Sequence, residues 1–91
     1  MAQAIVNPDE LRRFAAALKA FNAQLDGSTK SLKASFSQLG DTWRDQEHHK
    51  FAQEFVQTMQ VLQHFMATAN EQIPFLLQKA QKADDYLQHR H

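Results

Sequence analysis

Leu39-Gly40-Asp41-Thr42-Trp43-Arg44 divides this chain into two long stretches of helical pattern. It holds the only Trp of the 91 residues and one of the two glycines. Gly is the residue that most readily takes the left-handed position after a helix, so Gly40 is expected to end the first helix that way. Asp41 or Thr42 can then cap the second helix. A connection this short makes the two helices antiparallel neighbours. The predicted layout is one domain over residues 1–91, with a first helix over about 8–39, a bend over about 40–42 and a second helix over about 43–88.

Upstream of the bend, Asn7-Pro8-Asp9-Glu10 spells a helix start. Asn7 is the cap, Pro8 suits the first helical position, and the two acids oppose the positive end of the helix dipole. Large apolar residues then recur at alternating steps of three and four: Leu11, Phe14, Leu18, Phe21, Leu25, Leu32 and Leu39, with Ser28 and Ser35 filling the two gaps. This is a heptad seam and not a strand pattern. Gly27 lies inside the run and is expected to be tolerated, at about 1 kcal/mol relative to Ala.

Downstream, Ala52, Phe55, Met59, Leu62, Met66, Ala69, Ile73, Leu76, Ala80, Ala83 and Leu87 keep the same spacing without a polar interruption. Phe51, Phe65 and Tyr86 run beside this seam, and Val56, Val61, Phe75 and Leu77 lie elsewhere around the helix. The apolar surface is wider than one partner helix can cover. Pro74 cannot donate to the carbonyl of Asn70, so a kink is expected near residues 70–74, with the seam resuming in register after it.

Antiparallel geometry about this bend pairs Phe21 with Leu62, Leu18 with Met66, Phe14 with Ala69 and Leu11 with Ile73. It sets Ser28 opposite Phe55 and Ser35 near His48 and Phe51. It also leaves residues from about 76 onward without an intramolecular neighbour. Two helices enclose no core, so the expected fold is all-α: an antiparallel hairpin that dimerises into a four-helix bundle, with itself or with a related hairpin. The packing residues are Leu11, Phe14, Leu18, Phe21, Leu25, Phe51, Phe55, Met59, Leu62, Phe65, Met66 and Ile73.

Little chemistry is written here. The absence of Cys excludes disulfides and thiolate metal sites. Ten basic and ten acidic residues cancel, which disfavours nucleic acid and anionic membranes as partners. No apolar run is long enough to span a bilayer. The first residues show no charged segment followed by an apolar stretch, so no cleavable signal peptide is expected. Asp45 with His49, and Asp85 with His89, have helical i, i+4 spacing, but two ligands do not make a metal site. Ser35 opposite His48 lacks an acid and an oxyanion device, so no catalysis is expected. No Gly-rich phosphate loop or cofactor motif is present.

The residues together resemble the Trp-x-Gly family, helical hairpins of roughly a hundred residues exported by type VII (Esx-type) secretion systems of bacteria. The capped start at Asn7–Arg12, Trp43 at the bend, Phe51 and Phe55 after it, and Tyr86 near the end carry the likeness. Asp45 stands where the family motif has Gly, and Arg90 stands where the C-terminal Tyr-x-x-x-Asp/Glu export signal has its acid. The resemblance implies a dimeric, non-enzymatic protein. It would be made in the bacterial cytoplasm and secreted, or would serve as adaptor or co-secreted partner of a larger effector or a secretion ATPase. It also implies that Gly40, Trp43 and Asp45 form the bend and a surface read by the apparatus, and that the region of Tyr86 and Arg90 carries any export signal. The alternative reading is a polymerising hairpin subunit of the type III needle kind. Those typically bend at a Pro-containing loop, whereas this bend uses Gly40.

Overall fold

The computed structural model describes residues 6–88. Two helices account for nearly all of them: α1, Pro8–Leu39, and α2, Gln46–Gln88. They lie antiparallel, with Phe36 beside His48 near the bend and Arg12 paired with Asp84 at the open end. The hairpin is a rod of 71 × 21 × 14 Å.

Each helix starts on a side-chain cap. The Asn7 Oδ1 accepts from the backbone N–H groups of Asp9 at 2.9 Å and Glu10 at 3.3 Å, satisfying two donors that have no partner inside α1. α2 starts later than the spacing suggests. Asp45, not Asp41 or Thr42, is its cap: the carboxylate accepts from the His48 N–H at 3.0 Å, and the Asp45 carbonyl accepts from His49. The bend therefore runs from Gly40 to Asp45. Gly27 interrupts nothing, since α1 is continuous through it, and α2 likewise continues through Pro74.

The seam of α2 is the one its periodicity indicates. Met59, Met66, Ala69 and Ala80 are buried, and Ala52, Phe55, Leu62, Ile73, Leu76 and Ala83 are half-buried. The seam of α1 is not. Its buried positions are Pro8, Ala15, Asn22 and Thr29, with Phe36 half-buried one further heptad on. Leu11, Leu18 and Leu25 flank this line half-buried, while Phe14, Phe21, Leu32 and Leu39 point away from it. Small residues at the contact let the helix axes approach closely; the large ones are left for another surface.

The pairing shifts accordingly. Phe21 meets Phe65 edge-on, with ring centroids 6.1 Å apart, three residues beyond the expected Leu62. The Met66 carbonyl accepts from Asn22, four residues beyond the expected Leu18. Two causes combine: the bend is longer than expected, and side chains in each helix lean toward its own N-terminus, so facing residues both move C-terminal. Ser28 does not face Phe55; it is exposed in a shallow groove on α1 with Gln24, Gly27 and Ser31.

The same shift removes most of the expected overhang. Ala80 is 0% exposed, and Asp84 pairs with Arg12. Val6 and Asn7 prolong the chain beside α2, lining one hollow with Pro8, Asp84 and Leu87. The last turns of α2 therefore have an intramolecular neighbour. The Asp84 carboxylate, hydrogen-bonded to the Arg12 guanidinium, raises its pKa above the ordinary value.

Candidate functional site

Two features stand out on this rod: an aromatic cluster at the bend and an apolar face along one side.

The bend is built by local hydrogen bonds. Gly40 N–H reaches the carbonyls of Phe36 at 3.3 Å and Ser37 at 3.2 Å, Asp41 reaches Gln38 at 3.0 Å, and both Thr42 and Trp43 reach Leu39, at 3.2 and 3.0 Å. Arg44 Nε donates to the Gly40 carbonyl at 3.2 Å. These bonds satisfy the last carbonyls of α1. Gly40 is right-handed, with φ −63° and ψ −15°, so the expected left-handed stop is absent. Its value is room: a Cβ there would sit 3.3 Å from the Ser37 carbonyl and 3.8 Å from His48 Nε2.

His48 fills that room as a flat plate. Its ring stacks on Phe36 at 5.3 Å with an 8° interplanar angle, and Trp43 meets it edge-on at 5.0 Å. Phe36 also stacks on Phe55 at 4.6 Å, and Trp43 lies 6.1 Å from Phe51. The cluster ties the bend to the first turns of α2, each aromatic pair adding about 0.5–1.5 kcal/mol beyond area burial. Phe36 and His48 are the members that sequence reasoning missed. Phe36 carried a signal, since it follows Pro8, Ala15, Asn22 and Thr29 at strict sevens. That line is too weakly apolar to compete with the leucine and phenylalanine stripe beside it.

The apolar face joins both helices. Heptad geometry sets Phe14 and Phe21 of α1 on the same side of the hairpin as Phe51 and Phe65 of α2, and the Phe21–Phe65 contact confirms it. Phe14 is 59% exposed and Phe21 52%; Val61 and Phe75, further around α2 on that side, are 67% and 70% exposed. Near the bend the face opens into a groove of about 630 Å³, floored by Phe36, Phe55 and Met59 and walled by Leu32, Leu39 and Phe51. No large side chain of the hairpin is fully buried among the described residues. An apolar strip of this extent is a candidate contact surface, because isolated soluble proteins rarely expose one.

Of the remaining sequence-indicated residues, Leu11, Leu18, Leu25, Leu62 and Ile73 are half-buried between the helices, and Met59 and Met66 are buried there. Trp43 is half-buried in the cluster and Asp45 caps α2 beside it. Tyr86 is exposed on the last turns of α2. Arg90, with His89, lies outside the described residues. Among the described residues no three His, Asp or Glu side chains converge as metal ligands, and no helix is long and apolar enough to cross a membrane.

A family model described as "Proteins of 100 residues with WXG" matches residues 3–88, nearly the whole chain. The chain belongs to the WXG100 family. This is a family of small, helical, non-enzymatic secreted proteins that typically pair as helical-hairpin dimers. The comparisons with curated proteins and with solved structures returned no match. In this WXG100 chain Asp45 takes the place of the motif Gly. The position is a helix N-cap, where Asp and Gly are both favoured residues.

Proposed function

We propose that this WXG100 protein is an Esx-type substrate or co-secreted partner of a bacterial type VII secretion system, acting by helix packing and without catalysis. The observation that carries the reading is the apolar face. Phe14, Phe21, Phe51 and Phe65 lie exposed on one side of a hairpin that encloses no core of its own. A second helical hairpin laid on that side completes a four-helix bundle. The bend around Trp43 and Asp45, and the exposed Tyr86 at the other end, then remain accessible at the tips of the bundle for a secretion ATPase or a larger effector.

Export is the decisive measurement. The tagged chain is produced in a bacterium that carries a type VII system, with and without its secretion ATPase, and the culture filtrate is compared with the lysate. The expected result is ATPase-dependent appearance in the filtrate. Retention in both strains, when the system's own substrates are exported, overturns the proposal.

A further inference from the structure

Near the bend the apolar face is hollow, and one heptad line of α1 explains why. Phe14, Phe21, Ser28 and Ser35 share a heptad position. In the open half of the hairpin, the ring of Phe21 closes on Phe65 of α2. In the bend half the same position carries serine, so the space stays open as the groove of about 630 Å³. Small-molecule sites are hollows of roughly 300–1,000 Å³, mostly apolar, with a few placed polar groups that fix orientation. This groove has that size and that make-up.

Its lining favours one kind of occupant. Three rings meet there: Phe36 stacks on Phe55 at 4.6 Å, and Phe51 lies 5.7 Å from Phe36 and 6.2 Å from Phe55. The faces of such rings carry negative partial charge and attract cations. The polar groups point the same way. Among the described residues, Glu54 is the one charged side chain in the lining, and no Lys, Arg or His accompanies it. Thr58 also lines the groove. Its hydroxyl donates to the Glu54 carbonyl at 3.0 Å, which leaves the oxygen free to accept. Carboxylate, accepting hydroxyl and ring faces all call for a positively charged donor. The side chains of Leu32, Leu39 and Met59 call for a hydrocarbon body.

We infer that this groove binds a small lipophilic amine, its ammonium group beside Glu54 and Thr58 and its aromatic or aliphatic body against Phe36, Phe51 and Phe55. A fatty acid or other apolar carboxylate fits poorly, because Glu54 repels its head group and no cation in the lining offsets that. One hairpin forms the groove by itself, so the inference does not rest on the secretion reading. Its failure leaves that reading standing, and failed export leaves the amine site standing.

Two probes with the same hydrocarbon body and opposite charge test the site. Phenylbutylamine and phenylbutyrate are each titrated into the purified full chain at neutral pH and followed by NMR. The expected result is saturable binding of the amine in the millimolar range, as suits so small a ligand, with shifts centred on Leu32, Leu39 and the Met59 methyl. The carboxylate is expected to bind several-fold more weakly. Glu54→Gln is expected to weaken the amine about two- to five-fold, the share of an exposed ion pair. Ser35→Phe supplies the missing ring at an exposed position. It is expected to abolish binding with the melting temperature unchanged or raised. Equal binding of the two probes, or unchanged amine affinity in Glu54→Gln, overturns the assignment of an amine. Amine shifts that do not saturate or that spread over the whole hairpin overturn the site, and so does a folded Ser35→Phe chain that binds as before.

Discussion

Asn22 grips Met66 across the hairpin: its side-chain amide donates to the Met66 carbonyl at 2.9 Å and to Asn70 Oδ1 at 3.0 Å. Asn22 occupies the centre of the α1 seam and is buried, and its own Oδ1 has no partner. A polar group in that position makes one register distinct from its neighbours, because sliding α1 by a turn strands the amide among apolar side chains.

Replacing that amide separates register from stability. In Asn22→Leu the buried orphan oxygen disappears, and Asn70, which is exposed, turns to water. Urea unfolding is expected to show stability unchanged or raised by about 1 kcal/mol. Amide hydrogen exchange is expected to speed up across the seam as alternative registers become accessible. A clear loss of stability would show instead that the amide contributes more than its desolvation removes.

Asp45 offers a test of the motif position. Asp45→Ala removes the acceptor for His48 N–H and is expected to cost about 0.5–2 kcal/mol, whereas Asp45→Gly is expected to cost only a few tenths. Thermal melting of the two variants side by side checks the difference. Equal losses would mean that the family Gly and this Asp serve different purposes.

Trp43 bridges the bend to α2 through His48 and Phe51. Trp43→Ala is expected to lower stability by about 1–3 kcal/mol from lost ring contacts and the space left behind. Calorimetry measures that loss, and export measured on the same variant shows whether the ring is also read by the secretion apparatus. A protein that melts unchanged but is no longer exported has in Trp43 a recognition residue and not a structural one.

Deleting residues 82–91 removes Asp84 and Leu87 from beside the start of α1. The Arg12–Asp84 pair is partly exposed, with 39% and 32% of the two side chains accessible, so its share of global stability is expected to be at most about 1 kcal/mol. The effect should be local. Hydrogen exchange is expected to accelerate in the first turns of α1 and to stay slow around Asn22 and Thr29. Unchanged exchange at the start of α1 would return the last turns of α2 to the status of a free overhang.

The amino-acid sequence by itself determined a great deal here. Asn7, Pro8 and the acids after them mark the start of α1 through interactions that span only a few residues. The α2 seam from Ala52 to Ala83 is legible because one line of residues is apolar without interruption. Trp43, the short bend and the length led to the family. What the tertiary structure alone decided is which side of α1 meets α2. Periodicity shows that Phe14, Phe21, Leu32 and Leu39 share a side of the helix, but not whether that side turns toward the hairpin's own second helix or away from it. The choice rests on Asn22 finding Met66 and Asn70 forty-odd residues away, and on Ala15 and Ala80 allowing close approach. The true reach of α2 follows from the same source. It depends on how the bend packs Trp43, His48 and Phe36 together, and no local pattern encodes a contact between rings on different elements.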